Sequence, residues 1–369
     1  MKFSCEKHLL QQAINIASRC TASKSPIPAL EGLLLEAGQE IRITGYDLKK
    51  GIYTSFPADV AESGSIVLNA RLFGEIIRSL PDGIVSIAVE NGFQTVITCE
   101  ASAFSIMGTD SSEYPELPSV ERQTGISIPQ TLLSKMIRQT IFAVSDNESR
   151  PVYTGSLFEV KDNHLVVVAV DGYRLAMRKE EVDTSDLESC SFIVPGSALS
   201  DVEKLCSDEE EKVEITVGAK HISFAMGDTV LISRRIEGEF LNYKKSVPTE
   251  FGIVLEADRS ELMKSVSRVS LIIDEKTKNP LRLSVADDRI LINCVTGIGS
   301  GGDECMIKNI TGGSLVIGFN NRYLLDALKA SPAETVRIGF NSASAPCVIF
   351  PADESSSFSY MILPVRIRT

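Results

Sequence analysis

Hydrophobic positions along this chain follow a strand-like period and then a helix-like period, and this combination occurs three times. The segments are IVLNARLFGEIIRSL (66–80), FIVPGSALSDVEKL (192–205) and LVIGFNNRYLLDALKA (315–330). Each is a short apolar β-type run, one or two capping residues and an amphipathic helix pattern. Val67, Ile193 and Val316 are equivalent positions, separated by 126 and 123 residues. A long, nearly constant spacing predicts three similar domains in a row.

A second strand–helix pattern precedes each of these segments, at 2–19, 126–144 and 253–272. Its helical parts carry apolar residues at i, i+3, i+4 and i+7, and Pro129 and Asp258 stand where a helix begins. Alternating strands fill the rest, for example a hairpin around Asn91-Gly92. Each repeat therefore predicts an α+β domain with two helices on antiparallel sheet. We place the domains at 1–122, 123–249 and 250–369.

Length and composition agree with several ordinary globular domains. A chain of 369 residues is too long for one hydrophobic core. It has no apolar run of 18 residues, and charged Glu6 and Lys7 stand where a signal peptide needs apolar residues. The eight cysteines form no CxxC pair. These features predict a cytoplasmic protein with reduced thiols and no contact with membranes.

Charge is distributed unevenly along the chain. The six predicted helices contain eleven Lys or Arg residues and five Asp or Glu residues, whereas the whole chain carries −12. Basic helices in an acidic protein can present one positive face to a polyanion without reading its bases. The alternative is that surface helices are rich in Lys and Arg because these residues form helices well. The charge pattern alone does not choose between the two.

The motifs of common enzyme classes are missing from the sequence. GIGSGG (297–302) matches GxGxxG, but no helical period follows it, so we interpret it as a hairpin loop. The three histidines, His8, His164 and His221, have no ligand pairs at metal spacing. We therefore expect no cofactor, no metal and no catalytic residue. An enzyme with an unrecognised site and a repeat-built protein-interaction module remain the alternatives.

Specific segments carry a resemblance to a known family. They are MKFSCEKHLL (1–10), MGTDSSEYPELP (107–118), VDGYRLAMRK (170–179), RRIEGEFLNYKKSVP (234–248) and YMILPVRIRT (360–369). As an ordered set, they closely resemble the bacterial sliding clamps, the β subunits of DNA polymerase III. The resemblance covers the whole chain, including its threefold period.

The resemblance implies a head-to-tail homodimeric ring of six similar domains, with helices around a pore for duplex DNA and sheets outside. It implies a processivity factor for DNA replication, without catalytic activity, that slides on DNA independently of sequence. The implied partners are double-stranded DNA, a second copy of the chain, the DNA polymerase III alpha subunit, an ATP-driven clamp loader and other proteins with clamp-binding motifs.

The resemblance also implies a peptide-binding cleft between the second and third domains. Its walls would be Tyr153, Val170, Gly172, Tyr173, Arg174, Leu175, Leu241, Lys245, Ser246, Asn320, Tyr323, Ser344, Pro346, Met361, Ile362, Leu363, Pro364, Val365 and Arg366. An apolar groove of this kind accepts Leu or Phe anchors. The alternative for Leu175, Ile362 and Leu363 is an ordinary place in the core.

Two further sites follow from the resemblance. The dimer contact would join Phe104 and Ile106 of one copy to Leu271 and Ile272 of the other. Contacts to DNA phosphates would come from Lys24, Arg71, Arg78, Lys135, Arg138, Asn147, Arg150, Lys264, Arg268 and Lys329.

Overall fold

Seven α-helices are present in the part of the chain that the computed structural model describes, which is residues 1–183, 189–207, 211–274, 279–286, 288–353 and 357–367. They are α1 (Lys7–Ala17), α2 (Ala70–Ser79), α3 (Gln130–Arg138), α4 (Gly196–Leu205), α5 (Tyr243–Ser246), α6 (Arg259–Ser270) and α7 (Asn321–Ala330). The six long helices confirm the six predicted from hydrophobic period. The single turn α5 is too short to produce such a period, and the sequence did not predict it.

Side-chain caps explain why two of these helices begin where they do. Asn69 Oδ1 accepts a hydrogen bond from Leu72 N at 3.0 Å at the start of α2, and Asp258 Oδ1 accepts one from Glu261 N at 3.0 Å at the start of α6. Each cap satisfies a backbone N–H that has no partner within its helix. The predicted capping role of Asp258 is confirmed.

The chain forms two compact units, and the first consists of Met1–Ser134 and Ser197–Arg235. It contains two antiparallel sheets, ordered β5-β1-β7-β8-β9 and β10-β15-β16-β17-β4-β3-β2-β6. Their strands are β1 (Lys2–Glu6), β2 (Gly32–Ala37), β3 (Ile41–Tyr46), β4 (Lys50–Phe56), β5 (Asp59–Glu62), β6 (Gly64–Asn69), β7 (Ile84–Val89), β8 (Gln94–Cys99), β9 (Ser102–Met107), β10 (Thr124–Pro129), β15 (Lys212–Val217), β16 (His221–Met226) and β17 (Thr229–Arg234).

The second unit consists of Lys135–Gly196 and Ile236–Thr369. Its one antiparallel sheet has the order β14-β11-β12-β13-β25-β24-β23-β18-β21-β20-β19-β22. The strands are β11 (Gly155–Lys161), β12 (His164–Val170), β13 (Arg174–Glu181), β14 (Cys190–Pro195), β18 (Ile253–Asp258), β19 (Leu281–Ala286), β20 (Arg289–Thr296), β21 (Gly299–Thr311), β22 (Leu315–Phe319), β23 (Thr335–Phe340), β24 (Cys347–Pro351) and β25 (Phe358–Ile362).

The middle repeat divides its strands between the two units. In the first unit, β17 pairs with β4, with Leu231 opposite Ile52. In the second, β13 pairs with β25, with Leu175 opposite Met361. Backbone hydrogen bonds therefore continue each sheet from one repeat into the next, and no strand edge is left open at these two joints.

Each unit has its own hydrophobic core beneath the helices. In the first, Leu10 and Ile14 of α1 and Phe73 and Ile77 of α2 are almost completely buried against β-strand residues. In the second, α6 and α7 bury their apolar faces on Ile338 and its neighbours in the sheet. Burial of one amphipathic face per helix fixes which side chains of that helix reach solvent.

One expectation from the sequence was wrong in part. GIGSGG was interpreted as a loop, but only Gly297 and Ile298 form the turn, and Gly299 already begins β21, which extends to Thr311. Glycine lowers the expectation of a strand because it has no side chain to pack. Here the backbone pairing with β20 is sufficient to hold the glycines in the sheet. The domain boundaries near 122 and 249 stay predictions.

Candidate functional site

The β12–β13 hairpin positions two of the predicted cleft residues. Asp171 Oδ1 accepts hydrogen bonds from Tyr173 N at 2.8 Å and Arg174 N at 3.0 Å. Gly172, which stands between Asp171 and Tyr173, has φ +95°, a conformation that favours glycine. An aspartate that binds its own turn in this way fixes the backbone, so Tyr173 and Arg174 leave the hairpin in defined directions.

Arg174 contacts two carboxylates and an aromatic ring. Its Nε lies 2.9 Å from Asp171 Oδ2, and its Nη1 lies 2.6 Å from Asp326 Oδ2 on α7. Its guanidinium carbon stands 4.4 Å from the centre of the Tyr323 ring. The Arg174 and Asp171 side chains are each 12% exposed. At this depth a charge-assisted pair holds its geometry far better than a surface pair does.

Two tyrosines form the rim beside Arg174. The rings of Tyr173 and Tyr323 stack with centres 6.3 Å apart and planes 23° apart, and Tyr173 is 62% exposed. Burial raises the pKa of the Tyr323 phenol, and the Asp171 carboxylate raises it further. Tyr323 therefore stays neutral at physiological pH and presents an aromatic face with a hydroxyl.

The C-terminal segment passes over this rim. Leu363 N donates to Tyr173 O at 2.9 Å, and Val365 N donates to Gly318 O at 2.8 Å. Val365 is 38% exposed. Leu363, Pro364, Val365 and Arg366 follow β25 without belonging to a strand. These two backbone hydrogen bonds hold the segment as one wall of the predicted cleft.

An apolar cluster adjoins the hairpin. Val170, Leu175 and Met361 are buried in it, and Tyr153 and Leu241 pack on it half-buried. Leu175 is 0% exposed, which agrees with the alternative of an ordinary place in the core. Tyr153 and Leu241 are the members that solvent reaches, and an apolar ligand side chain would meet them first.

A pocket of about 550 Å³ lies on the polar side of Arg174. It brings together Asn147, Tyr173, Arg174, Asn320 and Tyr323, which the sequence assigned partly to the cleft and partly to DNA contacts. Asn320 Oδ1 caps α7 by accepting from Arg322 N at 2.9 Å. The pocket also contains Asp171 and Asp326, which the sequence did not single out.

The other predicted cleft residues occupy different surroundings. Lys245 is exposed on α5, and Ser246 on the same turn donates to Asn242 O at 3.1 Å. Ser344 and Pro346 lie in the connection between β23 and β24. Ile362 is 1% exposed and packs in the main core of the second unit, not in the cluster with Leu175.

Most of the predicted phosphate contacts are solvent-exposed cations on helix surfaces. On α2, Arg71 and Arg78 lie opposite the buried Phe73, and on α3, Lys135 and Arg138 lie opposite the buried Leu133. Lys264 and Arg268 on α6 and Lys329 on α7 are also exposed.

Described carboxylates pair with Arg71, Lys264 and Arg268. Arg71 Nε lies 2.9 Å from Glu75 Oε1, Lys264 Nζ lies 2.9 Å from Glu261 Oε1, and Arg268 contacts Asp303. The Arg71, Lys264 and Arg268 side chains are each more than half exposed. Pairs of this kind contribute about 0–1 kcal/mol, so a phosphate can compete for these cations.

The remaining predicted phosphate contacts lie in loops. Lys24 is exposed after α1. Asn147 Oδ1 accepts from Ser149 N at 3.0 Å, and Arg150 N donates to Asn147 O at 3.2 Å. A side-chain carbon at Gly172 would lie 3.9 Å from Arg150 Nη1. Arg150 therefore stands beside the cleft hairpin as well as in the predicted phosphate-binding loop.

The residues predicted for the dimer contact lie at two open edges. Phe104, 39% exposed, and the half-buried Ile106 are on β9, an edge strand of the first unit. Leu271, 84% exposed, follows α6 in the second unit, and half-buried Ile272 packs on the core. β18 pairs with the later part of β21, so residues 299–306 have β20 as their one partner among the described strands.

The described residues contain no group of metal ligands and no membrane-spanning helix. Within the ranges given above, no three His, Cys, Asp or Glu side chains are grouped to hold a metal ion. No helix of the described chain is both long and apolar enough to cross a membrane. His164 and His221 begin β12 and β16. Burial lowers the pKa of His221, and nearby Arg234 lowers it further.

Comparison with known proteins decides the family. Models of the N-terminal, central and C-terminal domains of the DNA polymerase III beta subunit match residues 1–118, 127–242 and 244–366. The chain belongs to the DNA polymerase III beta subunit family, the sliding clamps. The three predicted repeats are therefore the three domains of this family.

Individual relatives extend the match along the full chain. The beta sliding clamp of Staphylococcus aureus is 32% identical over 376 aligned positions, which cover 99% of both chains. The sliding clamp of Bacillus subtilis superposes with a TM-score of 0.95 at 31% identity, covering 100% of each chain. A Pseudomonas aeruginosa sliding clamp solved with bound griselimycin has a TM-score of 0.94 at 26% identity and the same coverage.

Asp171, Asp326 and Phe142 surround Arg174, and sequence reasoning did not single them out. Phe142 lies beside Arg174, with its ring centre 5.4 Å from the guanidinium carbon. One signal was available for Asp171 and Asp326. Aligning the repeats places Asp47 with Asp171, and Asp201 with Asp326 as the sixth residue of α4 and α7.

Proposed function

We propose that this chain is a processivity factor of DNA replication, which closes as a head-to-tail homodimeric ring around duplex DNA. Membership of the sliding-clamp family over the whole chain carries this proposal. The relatives named above are sliding clamps by name, and this chain covers them almost completely.

Electrostatics support encirclement of DNA. Lys24, Arg78, Lys135 and Lys329 are exposed, and no ion pair with a carboxylate involves them in the described ranges. The chain as a whole carries −12. With the helices facing the pore, cations would meet phosphate while the acidic remainder faces solvent. Binding to the phosphate backbone alone makes neighbouring registers nearly equal in energy, which allows sliding.

Edge strands support ring closure. β9 and residues 299–306 of β21 each have one unpaired side among the described strands, so each can pair with another chain. In a head-to-tail dimer, Phe104 and Ile106 would pack on Leu271 and Ile272 of the partner copy. A contact that repeats around a closed ring would pair both of these edges in each copy.

The cleft gives the ring its second function, which is to tether other proteins. Tyr153, Leu241 and the segment from Leu363 to Arg366 would receive a short peptide with Leu or Phe anchors. The clients would be the polymerase alpha subunit, the clamp loader and other proteins with clamp-binding motifs. In this proposal the chain has no catalytic activity, works inside the cell, and depends on a separate ATP-driven loader for opening.

Retention on circular and linear DNA tests the ring. Protein loaded onto nicked circular duplex should stay bound during gel filtration, and it should leave after a single cut because it slides off the ends. Linear DNA with bulky proteins bound at both ends is the control and should retain the protein. Equal retention on circular and open linear DNA would contradict encirclement and favour the interaction module without DNA encirclement.

A further inference from the structure

The β3–β4 and β12–β13 hairpins, whose strands β4 and β13 pair with the next repeat, are built alike, and this similarity points to a role for Asp326. In the β3–β4 hairpin, Asp47 Oδ1 accepts from Lys49 N at 2.9 Å and Lys50 N at 2.8 Å. Asp171 does the same for Tyr173 and Arg174, as described above. The Lys50 ammonium contacts Asp201 of α4, as Arg174 contacts Asp326 of α7. Each joint is thus closed by one latch, an ion pair between hairpin and helix.

The two latches differ in what surrounds the cation. Lys50 has Arg19 nearby, whose Nη1 lies 3.9 Å from Asp201 Oδ1. Arg174 instead covers the Tyr323 ring at 4.4 Å, and Tyr323 stacks on Tyr173. A planar guanidinium can lay its face on an aromatic ring while the N–H groups at its edge donate to two carboxylates, whereas an ammonium has donors but no planar face to stack. The second latch therefore extends into the cleft wall, and the first does not.

A continuous set of contacts leads from Asp326 to the C-terminal segment. Asp326 holds Arg174 Nη1, Arg174 lies on Tyr323, and Tyr323 stacks on Tyr173. The carbonyl of Tyr173 then accepts the amide of Leu363 at 2.9 Å. The Asp326 side chain is 34% exposed. It can be changed without opening a cavity in the core.

We propose that Asp326 is a positioning residue of the peptide-binding cleft. It acts through Arg174 and the two tyrosines, and it holds the wall formed by residues 363–366 in the shape that receives an apolar peptide anchor. This inference rests on the proposed cleft function. In this proposal, Asp326 itself does not touch the peptide. Arg174 supports the cleft wall, because two of its donors are already directed at carboxylates.

The test compares Asp326→Asn with two matched variants. Asp326→Glu keeps the charge, and Asp201→Asn removes the equivalent carboxylate of the first latch. Labelled griselimycin is the probe, because a related clamp was solved with it, and affinity is read by fluorescence polarisation. Asp326→Asn should bind about tenfold more weakly, the factor for removal of one charge-assisted hydrogen bond. The other two variants should stay within about twofold of the unmodified protein.

Hydrogen exchange gives a second readout that does not depend on any ligand. The Leu363 and Val365 amides should exchange about tenfold faster in Asp326→Asn, and their exchange rates should not change in Asp201→Asn. The reason is that the Arg174–Asp326 latch supports this segment and the Lys50–Asp201 latch does not. Unchanged affinity and exchange in Asp326→Asn would overturn the inference. An equal loss in Asp201→Asn would also overturn it, because it would indicate general loosening. If the unmodified protein fails to bind griselimycin, the proposed cleft function fails, and the exchange comparison still decides the role of Asp326.

Discussion

Gly299 occupies, in the β20–β21 hairpin, the position that Arg174 occupies in the β12–β13 hairpin. Val295 pairs with Ser300 as Val170 pairs with Leu175, so the two turns have the same register. A glycine has no side chain to form a latch. The joint that we propose between two copies therefore has no latch at the position that supplies the cation in the two joints within the chain.

Replacing Leu271 and Ile272 by Asp should dissociate the proposed dimer. Burying even an uncharged polar group without a partner costs on the order of 2–7 kcal/mol, and burying an ionised carboxylate in an apolar contact costs more. Mass measured by light scattering should fall to that of one chain. Leu48→Asp, which changes another exposed leucine, and Glu75→Gln, at the sixth position of α2, are controls that should leave the mass unchanged. A double variant that keeps the mass of the unmodified protein would contradict the proposed contact.

Removing residues 363–369 should abolish binding to the cleft and leave the dimer intact. The deletion begins after Ile362 because Met361 and Ile362 are buried in β25, at 7% and 1% exposure. Loss of the two backbone hydrogen bonds and one wall should reduce peptide affinity at least about tenfold. Circular dichroism and mass are the folding controls. Undiminished affinity for labelled griselimycin would show that the segment is not part of the site.

The Lys50 latch should stabilise the first unit in a pH-dependent way. Burial acts to lower the pKa of Lys50, but its hydrogen bond to Asp201 and the nearby Cys20 and Asp47 outweigh burial, so the pKa is raised above 10.5. A raised pKa means that the stabilisation is complete below the ordinary value and is lost as pH rises through the folded value.

Lys50→Met should therefore lower the free energy of unfolding at pH 8 by about 2 kcal/mol, since it leaves the Asp201 carboxylate poorly paired. The difference from the unmodified protein should shrink above pH 10.5, the ordinary value for lysine. Urea unfolding across this range measures it, with exposed Lys49→Met as control. A difference that stays constant through the alkaline range would rule out the latch as its source.

Neutralising helix cations should change the salt dependence of DNA binding. Arg78→Gln with Lys135→Gln should reduce the slope of log K against log salt by about 1 for each phosphate that no longer meets a cation. Affinity for linear duplex DNA across a salt series measures this slope. The control changes Lys161 and Lys212, which are exposed on strands, and should leave the slope unchanged. Equal effects of the two pairs would argue against helices as the DNA-binding surface.

Buried thiols should resist alkylation in the folded protein. Burial raises the pKa of Cys5, Cys20 and Cys347 to about 12. Because the thiolate is the reacting form, iodoacetamide at pH 8 should modify these residues only as fast as the protein opens. Mass spectrometry after digestion gives the rate at each site, and the same reaction in urea is the control. Rapid modification of Cys347 under native conditions would contradict its burial.

Local pattern was sufficient for the helices and much of the sheet. The six long helices match because their period and caps depend on neighbouring residues, as at Asp258. The pattern was insufficient for α5, which has one turn, and for β21, whose glycines gave no strand signal. The division of the middle repeat's strands between two sheets was not predicted, since pairing partners are set by long-range register.

The sequence by itself determined that this protein has three equivalent α+β domains, because a repeated apolar period dictates which faces must be buried in each repeat. Only the tertiary structure decided which side chains act together at the site. Arg174 and Asp326 are separated by 152 residues, and no local pattern encodes their contact. Strand pairing and helix packing bring the two charges to 2.6 Å, and the Arg174 side chain, which is only 12% exposed, depends on carboxylate partners for its charge.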